Sequence, residues 1–167
     1  MSPVSVGVDI VHVPSFAEQL AQPGSRFASV FTVGERAEAV RRELDGDRLS
    51  AYWAARWAAR EALVKAWSTA LFGEAPPAGE EVMGEVEVAV DAWGRPRLYL
   101  HGGTRRALAS YDAQVSLSHD GDSAVAVVLL SLLAGRQDEE AVLTQVACAQ
   151  ATAESTPAQS PASAARR

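Results

Sequence analysis

The feature that most constrains the fold is a long stretch with helical periodicity, residues 48–72. Its large apolar residues recur close to the helical repeat: Trp53, Trp57, Val64 and Trp67. Alanines at positions 54, 58 and 62 form a strip on one face, which lets another backbone segment approach closely. Gly73 and the proline pair at 76–77 end the pattern. The sequence therefore predicts one long helix as its main element.

Shorter segments on both sides of this helix have the composition of strands. Residues 4–11 are rich in β-branched side chains, which predicts a buried strand. Residues 84–90 alternate valine with polar residues, and 97–101 return as a second strand after a turn. Residues 113–130 predict two more strands joined at Asp120-Gly121. The last strand is almost wholly apolar, so we expect it to be central or at an intersubunit contact.

Three short helices complete the predicted elements. One begins at Pro14, one follows Thr32 with Glu35 completing a capping box, and one fits residues 104–110. Asp47 is placed to cap the long helix. Strands and helices do not alternate regularly, so the predicted class is α+β, with one long central helix packed on a small antiparallel sheet.

The composition changes at about Leu133. Beyond this point alanine, serine, proline and glutamine dominate, and large apolar side chains are few. We therefore expect one folded domain over residues 1–132, which is long enough to bury a core, and a disordered tail over residues 133–167.

Charge and cysteine content exclude several classes of protein. The formal net charge of −6 argues against a nucleic-acid-binding surface. The single cysteine, Cys148, excludes an intrachain disulfide and a cysteine-based metal cluster. No signal peptide is evident, and no apolar run approaches the ~20 residues that a membrane span needs. We expect a cytoplasmic protein that binds neither nucleic acid nor membrane.

Three charged residues are the first candidates for chemistry. Asp9 interrupts an apolar strand, where a carboxylate needs a partner or a bound cation. Glu61 and Lys65, the only lysine, lie four residues apart and so share a helix face. If Asp9 and Glu61 converge, a cation between them relieves their repulsion. Mg²⁺ suits such a pair, since it takes one or two carboxylates, waters and phosphate oxygens, and Lys65 could neutralise another phosphate oxygen.

The simpler alternatives for these residues stay open at this point. Asp9 could be a helix cap or a buried ion-pair partner, and Glu61 with Lys65 could be a surface ion pair. In the segment SLSHDGD, 116–122, His119 could donate to phosphate or act as an acid or base, and Asp120 could orient it or assist a metal. Ser116 is a possible phosphate donor. The same residues also fit an ordinary hairpin turn, and no serine lies in a nucleophile-elbow context.

Three segments in this order resemble one family. GVDIV (7–11), RWAAREALVKA (56–66) and VSLSHD (115–120) are similar to the holo-acyl-carrier-protein synthases, the small single-domain class of 4′-phosphopantetheinyl transferases. DAWGRP (91–96) resembles that family's G-x-P turn, and the match spans about residues 4–131. Each motif alone is weak, whereas the ordered set is specific.

The resemblance implies the 4′-phosphopantetheinyl transferase fold and a reaction. A serine hydroxyl of an apo acyl carrier protein, from fatty-acid or polyketide synthesis, attacks the β-phosphate of coenzyme A, and adenosine 3′,5′-bisphosphate leaves. The implied Mg²⁺ ligands are Asp9 and Glu61, and Glu61 or a Mg²⁺-bound water would accept the serine proton. The implied catalytic residues are Glu61, Lys65, His119 and Asp120. The implied contacts to coenzyme A are Lys65, Arg56, Arg60, Gly94, Pro96, Ser116 and His119.

The resemblance also implies an assembly. The family forms homotrimers with the active site between subunits, so the apolar final strand and the alanine-rich helix are expected at subunit contacts. Pro14 and Ser15 stand where many members carry basic residues that bind the acidic carrier. The alternative to an enzyme is a non-catalytic trimer that binds coenzyme A or a nucleotide.

Overall fold

The computed structural model describes residues 4–75 and 79–133. In chain order the elements are β1 (Val4–His12), α1 (Val13–Ala21), a 3-10 turn (Phe27–Val30), α2 (Val33–Arg41), α3 (Gly46–Ala70), α4 (Gly79–Gly84), β2 (Val86–Val90), β3 (Pro96–Leu100), α5 (Gly102–Ala107), β4 (Tyr111–Asp120) and β5 (Ser123–Leu132). The predicted α+β class and the single long helix are confirmed. The sequence did not predict α4, and the tail predicted to be disordered, apart from Leu133, lies outside the described residues.

The strands form two antiparallel sheets. The three-stranded sheet has the order β1-β5-β4, and β2 pairs with β3 in a separate hairpin. The last strand, β5, is therefore central, as predicted. One of its faces is wholly buried, with Ala124, Ala126, Val128 and Leu130 each at 0% exposure. That face packs against α3, so the long helix and the sheet share one core.

The alanine strip of α3 brings the helix unusually close to β1. Ala54, Ala58 and Ala62 are fully buried. A Cβ added to Gly7 of β1 would lie 2.0 Å from the carbonyl oxygen of Ala62 and 2.5 Å from the backbone nitrogen of Ala66. The close contact predicted for this strip thus occurs within the chain. The sheet of their own chain covers these three alanines, whereas the expectation that the alanine-rich helix lies at a subunit contact stays a prediction.

The outer face of the three-stranded sheet is apolar and exposed. β1 was predicted to be a buried strand, but α3 covers only one of its faces. Val4, Val6, Val8 and Ile10 point away from the helix and are 55 to 67% exposed. On β5, Val127 and Leu129 pair with Val8 and Val6 and extend the same face. We call this surface, formed by Val4, Val6, Val8, Ile10, Val127 and Leu129, the outer apolar face.

The predicted N-terminal cap is confirmed for α2 but not for α3. Thr32 caps α2, and Glu35 returns a hydrogen bond to the Thr32 backbone, so the capping box is confirmed. The predicted cap of α3 is wrong: Asp45 stands at the capping position, without a side-chain cap bond, and Asp47 lies in the first turn. No helix in residues 4–75 and 79–133 is long and apolar enough to cross a membrane.

Candidate active site

Asp9 and Glu61 line the same cavity, of about 370 Å³, between β1, α1 and α3. β1 carries Asp9 on the face that packs against α3, and Glu61 projects from that helix. The aromatic rings of Phe27 and Trp57 form part of the wall. Their ring centroids are 4.7 Å apart, which is typical of a packed aromatic pair. The fold therefore brings the two carboxylates to one cavity, which is the condition under which a cation could lie between them.

Lys65 contacts Asp9, which lines this cavity. Its Nζ donates to Asp9 Oδ1 at 2.7 Å, and the side chains are 51% and 14% exposed. The partner of Lys65 in this contact is therefore Asp9 rather than Glu61. The open alternative for Asp9, an ion-pair partner, is thus also realised in the structure.

The electrostatics of Glu61 fit a site that needs a cation. Burial raises the pKa of the Glu61 carboxyl above its ordinary value, the charge of Asp9 raises it further, and Lys65 opposes the shift. Two carboxylates and one ammonium leave a net negative charge at this point. A divalent cation would remove the remaining repulsion.

The donor atoms at Asp9 and Glu61 limit which metal ions this site can bind. Among the residues that the structure describes, no group of three or more His, Cys, Asp or Glu side chains could hold a metal ion. A site closed by protein ligands alone, as structural zinc requires, is therefore absent from this part of the chain. Mg²⁺ needs only one or two carboxylates and completes its shell with waters and phosphates, so Asp9 and Glu61 fit it.

A second cavity, of about 440 Å³, collects most of the residues expected to contact coenzyme A. It is lined by Arg56, Gly94, Pro96 and His119, together with Arg42, Arg48 and Tyr52. Tyr52 and Glu61 are nine residues apart on α3, which is about two and a half helical turns. The two cavities therefore lie on opposite sides of the long helix.

Arg56 is the most constrained cation of the second cavity. It is 3% exposed, and its Cζ lies 3.3 Å from the centroid of the Tyr52 ring. Its Nη1 donates weakly to the Tyr52 carbonyl at 3.4 Å, and its Nε is 4.0 Å from Glu35 Oε1. Nε and Nη2 are buried without a hydrogen-bond partner. A buried cation with unused donors suits an anionic ligand.

Arg60 corrects one predicted contact to coenzyme A. It is fully buried and forms a bidentate pair with Glu35, at 3.0 Å from Nη1 and 2.7 Å from Nη2. Its remaining donors bind backbone carbonyls, including that of Met83 at 2.9 Å. Glu35 also accepts from the Val88 backbone at 3.0 Å. Arg60 therefore ties α3 to α2 and β2 and has no surface from which to contact a cofactor.

The turn at residues 91–96 holds Gly94 and Pro96 in the second cavity. Asp91 Oδ1 accepts backbone hydrogen bonds from Trp93 at 2.9 Å and Arg95 at 3.0 Å. Gly94 has a φ of +80°, which a side chain at this position would strain. Hydrogen bonds to the Asp91 side chain thus stabilise the turn that contains the G-x-P sequence.

Two other predicted residues lie outside both cavities. Ser116 pairs with Val127 and lies on the outer side of β4, whereas His119 is on the inner side. Asp120 is exposed at the end of β4. The structure therefore does not bring Ser116 or Asp120 to the other site residues of the same chain.

His12 is a cavity residue that the sequence reasoning missed. It lines the first cavity, and its Nδ1 lies 2.8 Å from Ser15 Oγ and accepts from the Ser15 backbone, which caps α1. The nearby Asp9 was found because an acid is unusual in an apolar strand. His12 ends that strand, where a polar residue is ordinary, so no local signal marked it.

This α+β domain has two carboxylates at one cavity, a lysine paired with one of them, and arginines at a second cavity. Such an arrangement is suited to a protein that binds a ligand carrying phosphate groups. The chain belongs to the 4′-phosphopantetheinyl transferase superfamily, whose family model matches residues 5–128. It is 46% identical over 130 residues to the holo-[acyl-carrier-protein] synthase of Mycobacterium ulcerans, covering 78% of this chain and 98% of that protein. A synthase of the same name from Corynebacterium glutamicum is 44% identical over 135 residues, covering 77% and 98%.

Solved structures confirm the family's fold. The chain is similar to an ACPS–CoA complex from Chronobacterium ammoniagenes, with a TM-score of 0.70 and 40% identity over 79% of this chain and 99% of that one. It is also similar to a holo-(acyl-carrier-protein) synthase from Bacillus anthracis in complex with CoA (3′,5′-ADP), with a TM-score of 0.59 and 28% identity over 77% and 96%. The resemblance stated from the sequence is therefore confirmed.

Proposed function

We propose that this chain transfers 4′-phosphopantetheine from coenzyme A to a serine of an apo acyl carrier protein and releases adenosine 3′,5′-bisphosphate. The observation that carries the proposal is the meeting of Asp9, Glu61 and Lys65 at one cavity in a member of this family. These are the groups that bind and neutralise a diphosphate in phosphoryl transfer.

The chemistry assigned to the chain is a single displacement. The serine oxygen forms a bond to the β-phosphorus as the bond to the adenosine bisphosphate oxygen breaks. Lys65 places its ammonium against the phosphate oxygens. Glu61, whose pKa is raised by burial and by Asp9, accepts the serine proton. Asp9 and Glu61 would hold Mg²⁺, which supplies further neutralisation of phosphate charge when bound.

We propose that the working unit is a homotrimer with its sites between subunits. The first cavity carries the diphosphate residues, and the second carries Arg56, Gly94, Pro96 and His119 on the opposite side of α3. One coenzyme A would then contact the first cavity of one chain and the second cavity of a neighbour, which would hold the adenosine part. The outer apolar face supports this, since burial of about 25 cal/mol per Å² would stabilise an interface there.

Several finer assignments stay predictions. They are the contacts of Ser116 and Asp120, the fatty-acid or polyketide carrier as substrate, and the cytoplasmic location. The candidates for binding an acidic carrier are five arginines: Arg26, Arg36, Arg41, Arg42 and Arg48. Arg26 adjoins Phe27, which lines that cavity, and Arg36 donates to the Ala28 carbonyl in the same 3-10 turn.

The experiment that tests the proposal is an intact-mass assay. The protein is incubated with coenzyme A, Mg²⁺ and an apo acyl carrier protein, and the carrier is weighed. A mass gain of one phosphopantetheine group is expected, and Glu61→Gln should abolish it. Glu18→Gln, which removes an exposed carboxylate on α1 outside both cavities, is the matched control and should keep activity. Coenzyme A binding without a mass gain would point to the non-catalytic alternative, and no binding would contradict both.

A further inference from the structure

The contact between Lys65 and Asp9 joins two parts of the site that have different ligands. Asp9 is suited to a divalent cation, whereas Lys65 is suited to a phosphate. Yet Lys65 Nζ donates to Asp9 Oδ1 at 2.7 Å, across 56 residues of sequence. The Asp9 carboxylate therefore pairs with Lys65 and is also the group that would bind a metal ion.

The two partners differ in their freedom to move. Asp9 is 14% exposed and is fixed on β1, which Gly7 holds tightly against α3. Lys65 is 51% exposed and carries its charge on a flexible four-carbon stem. When another charge enters the cavity, the lysine is therefore the partner that moves. Two cations on one carboxylate also repel each other, which opposes metal binding while Lys65 stays in place.

We propose that Asp9 and Lys65 couple the two ligands of the site. The coenzyme A diphosphate draws the Lys65 ammonium off Asp9, and this frees the carboxylate and raises the affinity of the Asp9–Glu61 pair for a divalent cation. By linkage, the cation raises the affinity for coenzyme A by the same factor. The inference rests on the proposed function, because that function supplies the diphosphate.

The expected size of the coupling follows from exposure. An ion pair with one partner half exposed changes an equilibrium constant by about 1.5- to 5-fold. The phosphates of coenzyme A also contact the cation directly, so the total enhancement is larger. Only the part of this enhancement in cation affinity that depends on Lys65 tests the proposal.

Calorimetric titration of Mn²⁺ into the protein, with and without saturating coenzyme A, measures this part. In Lys65→Ala, Mn²⁺ should bind about 1.5- to 5-fold more tightly than in the wild type without coenzyme A, since Asp9 has lost its ion-pair partner. The enhancement by coenzyme A should shrink by the same factor. Arg105→Ala, which removes an exposed cation on α5 that lines neither cavity, should change neither quantity.

Three outcomes would overturn the proposal. Unchanged Mn²⁺ affinity in Lys65→Ala would show that the ion pair does not oppose the metal. Tighter binding by the same factor with and without coenzyme A would show a general charge effect without coupling. Absence of Mn²⁺ binding to both proteins would remove the metal site itself. No transfer is measured, so these failures are distinct from a failure of the wild type to modify a carrier protein.

Discussion

Replacing Gly7 with alanine tests the contact that brings Asp9 to Glu61. A Cβ at this position would lie 2.0 Å from the Ala62 carbonyl oxygen, whereas ordinary van der Waals contact begins at 3.4 Å. The struck atoms are backbone atoms of α3, so no side chain can rotate away. β1 and α3 must therefore separate locally by about 1.4 Å.

This displacement has a stability cost and an activity cost. Overpacking a well-packed core costs about 1–3 kcal/mol, which lowers Tm by about 4–12 °C for a domain of this size. Asp9 lies two residues beyond Gly7 on the same face of β1, so it moves away from Glu61 and Lys65. A misplacement of about 1 Å in a phosphoryl-transfer site costs on the order of 100-fold in rate.

The assay pairs Gly7→Ala with Ser5→Ala, on the same face of the same strand. Ser5 is buried, and its hydroxyl has no hydrogen-bond partner, so its loss should leave stability equal or slightly higher. Thermal unfolding and the rate of carrier modification are measured for both. Wild-type Tm and rate in Gly7→Ala would refute the close-packing argument, and equal losses in both variants would show that any change on this face has the same effect.

Three further predictions concern the core, the pH dependence and the assembly. Glu35→Gln should lower the free energy of unfolding by about 3–5 kcal/mol in urea titrations, because it removes the carboxylate charge that pairs with the buried Arg60; a loss below 1 kcal/mol would contradict this. Backbone hydrogen bonds from Thr104 and Gly103 lower the pKa of Glu85 below its ordinary value of 4.5. The ionised Glu85 carboxylate should thus stabilise the fold above pH 4.5, and this contribution should be lost as pH falls through the lowered pKa. Glu85→Gln should therefore be less stable than the wild type at neutral pH but equal to it in acid. A difference in stability that stays constant with pH would exclude these hydrogen bonds as its cause. Val8→Asp should convert the proposed homotrimer to monomers in light scattering, whereas an unchanged mass would exclude the outer apolar face as the interface.

Local patterns were sufficient to predict most of the fold. The periodicity of residues 48–72 predicts α3, and the Asp120-Gly121 signal predicts the hairpin between β4 and β5, whose connecting loop is Gly121 and Asp122. The capping box of Thr32 and Glu35 is confirmed, and it could be predicted from the sequence because both partners lie within one helical turn.

The errors come from contacts between distant residues. Glu35 was found as a cap, but its bidentate pair with Arg60, 25 residues later, has no local signature, so Arg60 was assigned to the cofactor. The apolar residues of β1 predict burial on both faces, yet residues 4–75 and 79–133 cover only one. A sequence does not distinguish a face covered by its own chain from one that a second subunit would cover.

In the homotrimer we propose, residues on opposite sides of α3 in two chains form one coenzyme A site. The most direct measurement mixes two inactive variants under conditions that exchange subunits. Glu61→Gln damages the first cavity, and His119→Glu places a carboxylate in the second. Random assembly at equal amounts leaves both halves intact at one interface in four, so about 25% of wild-type activity should return. Mixed assemblies that modify no carrier protein would contradict the shared site.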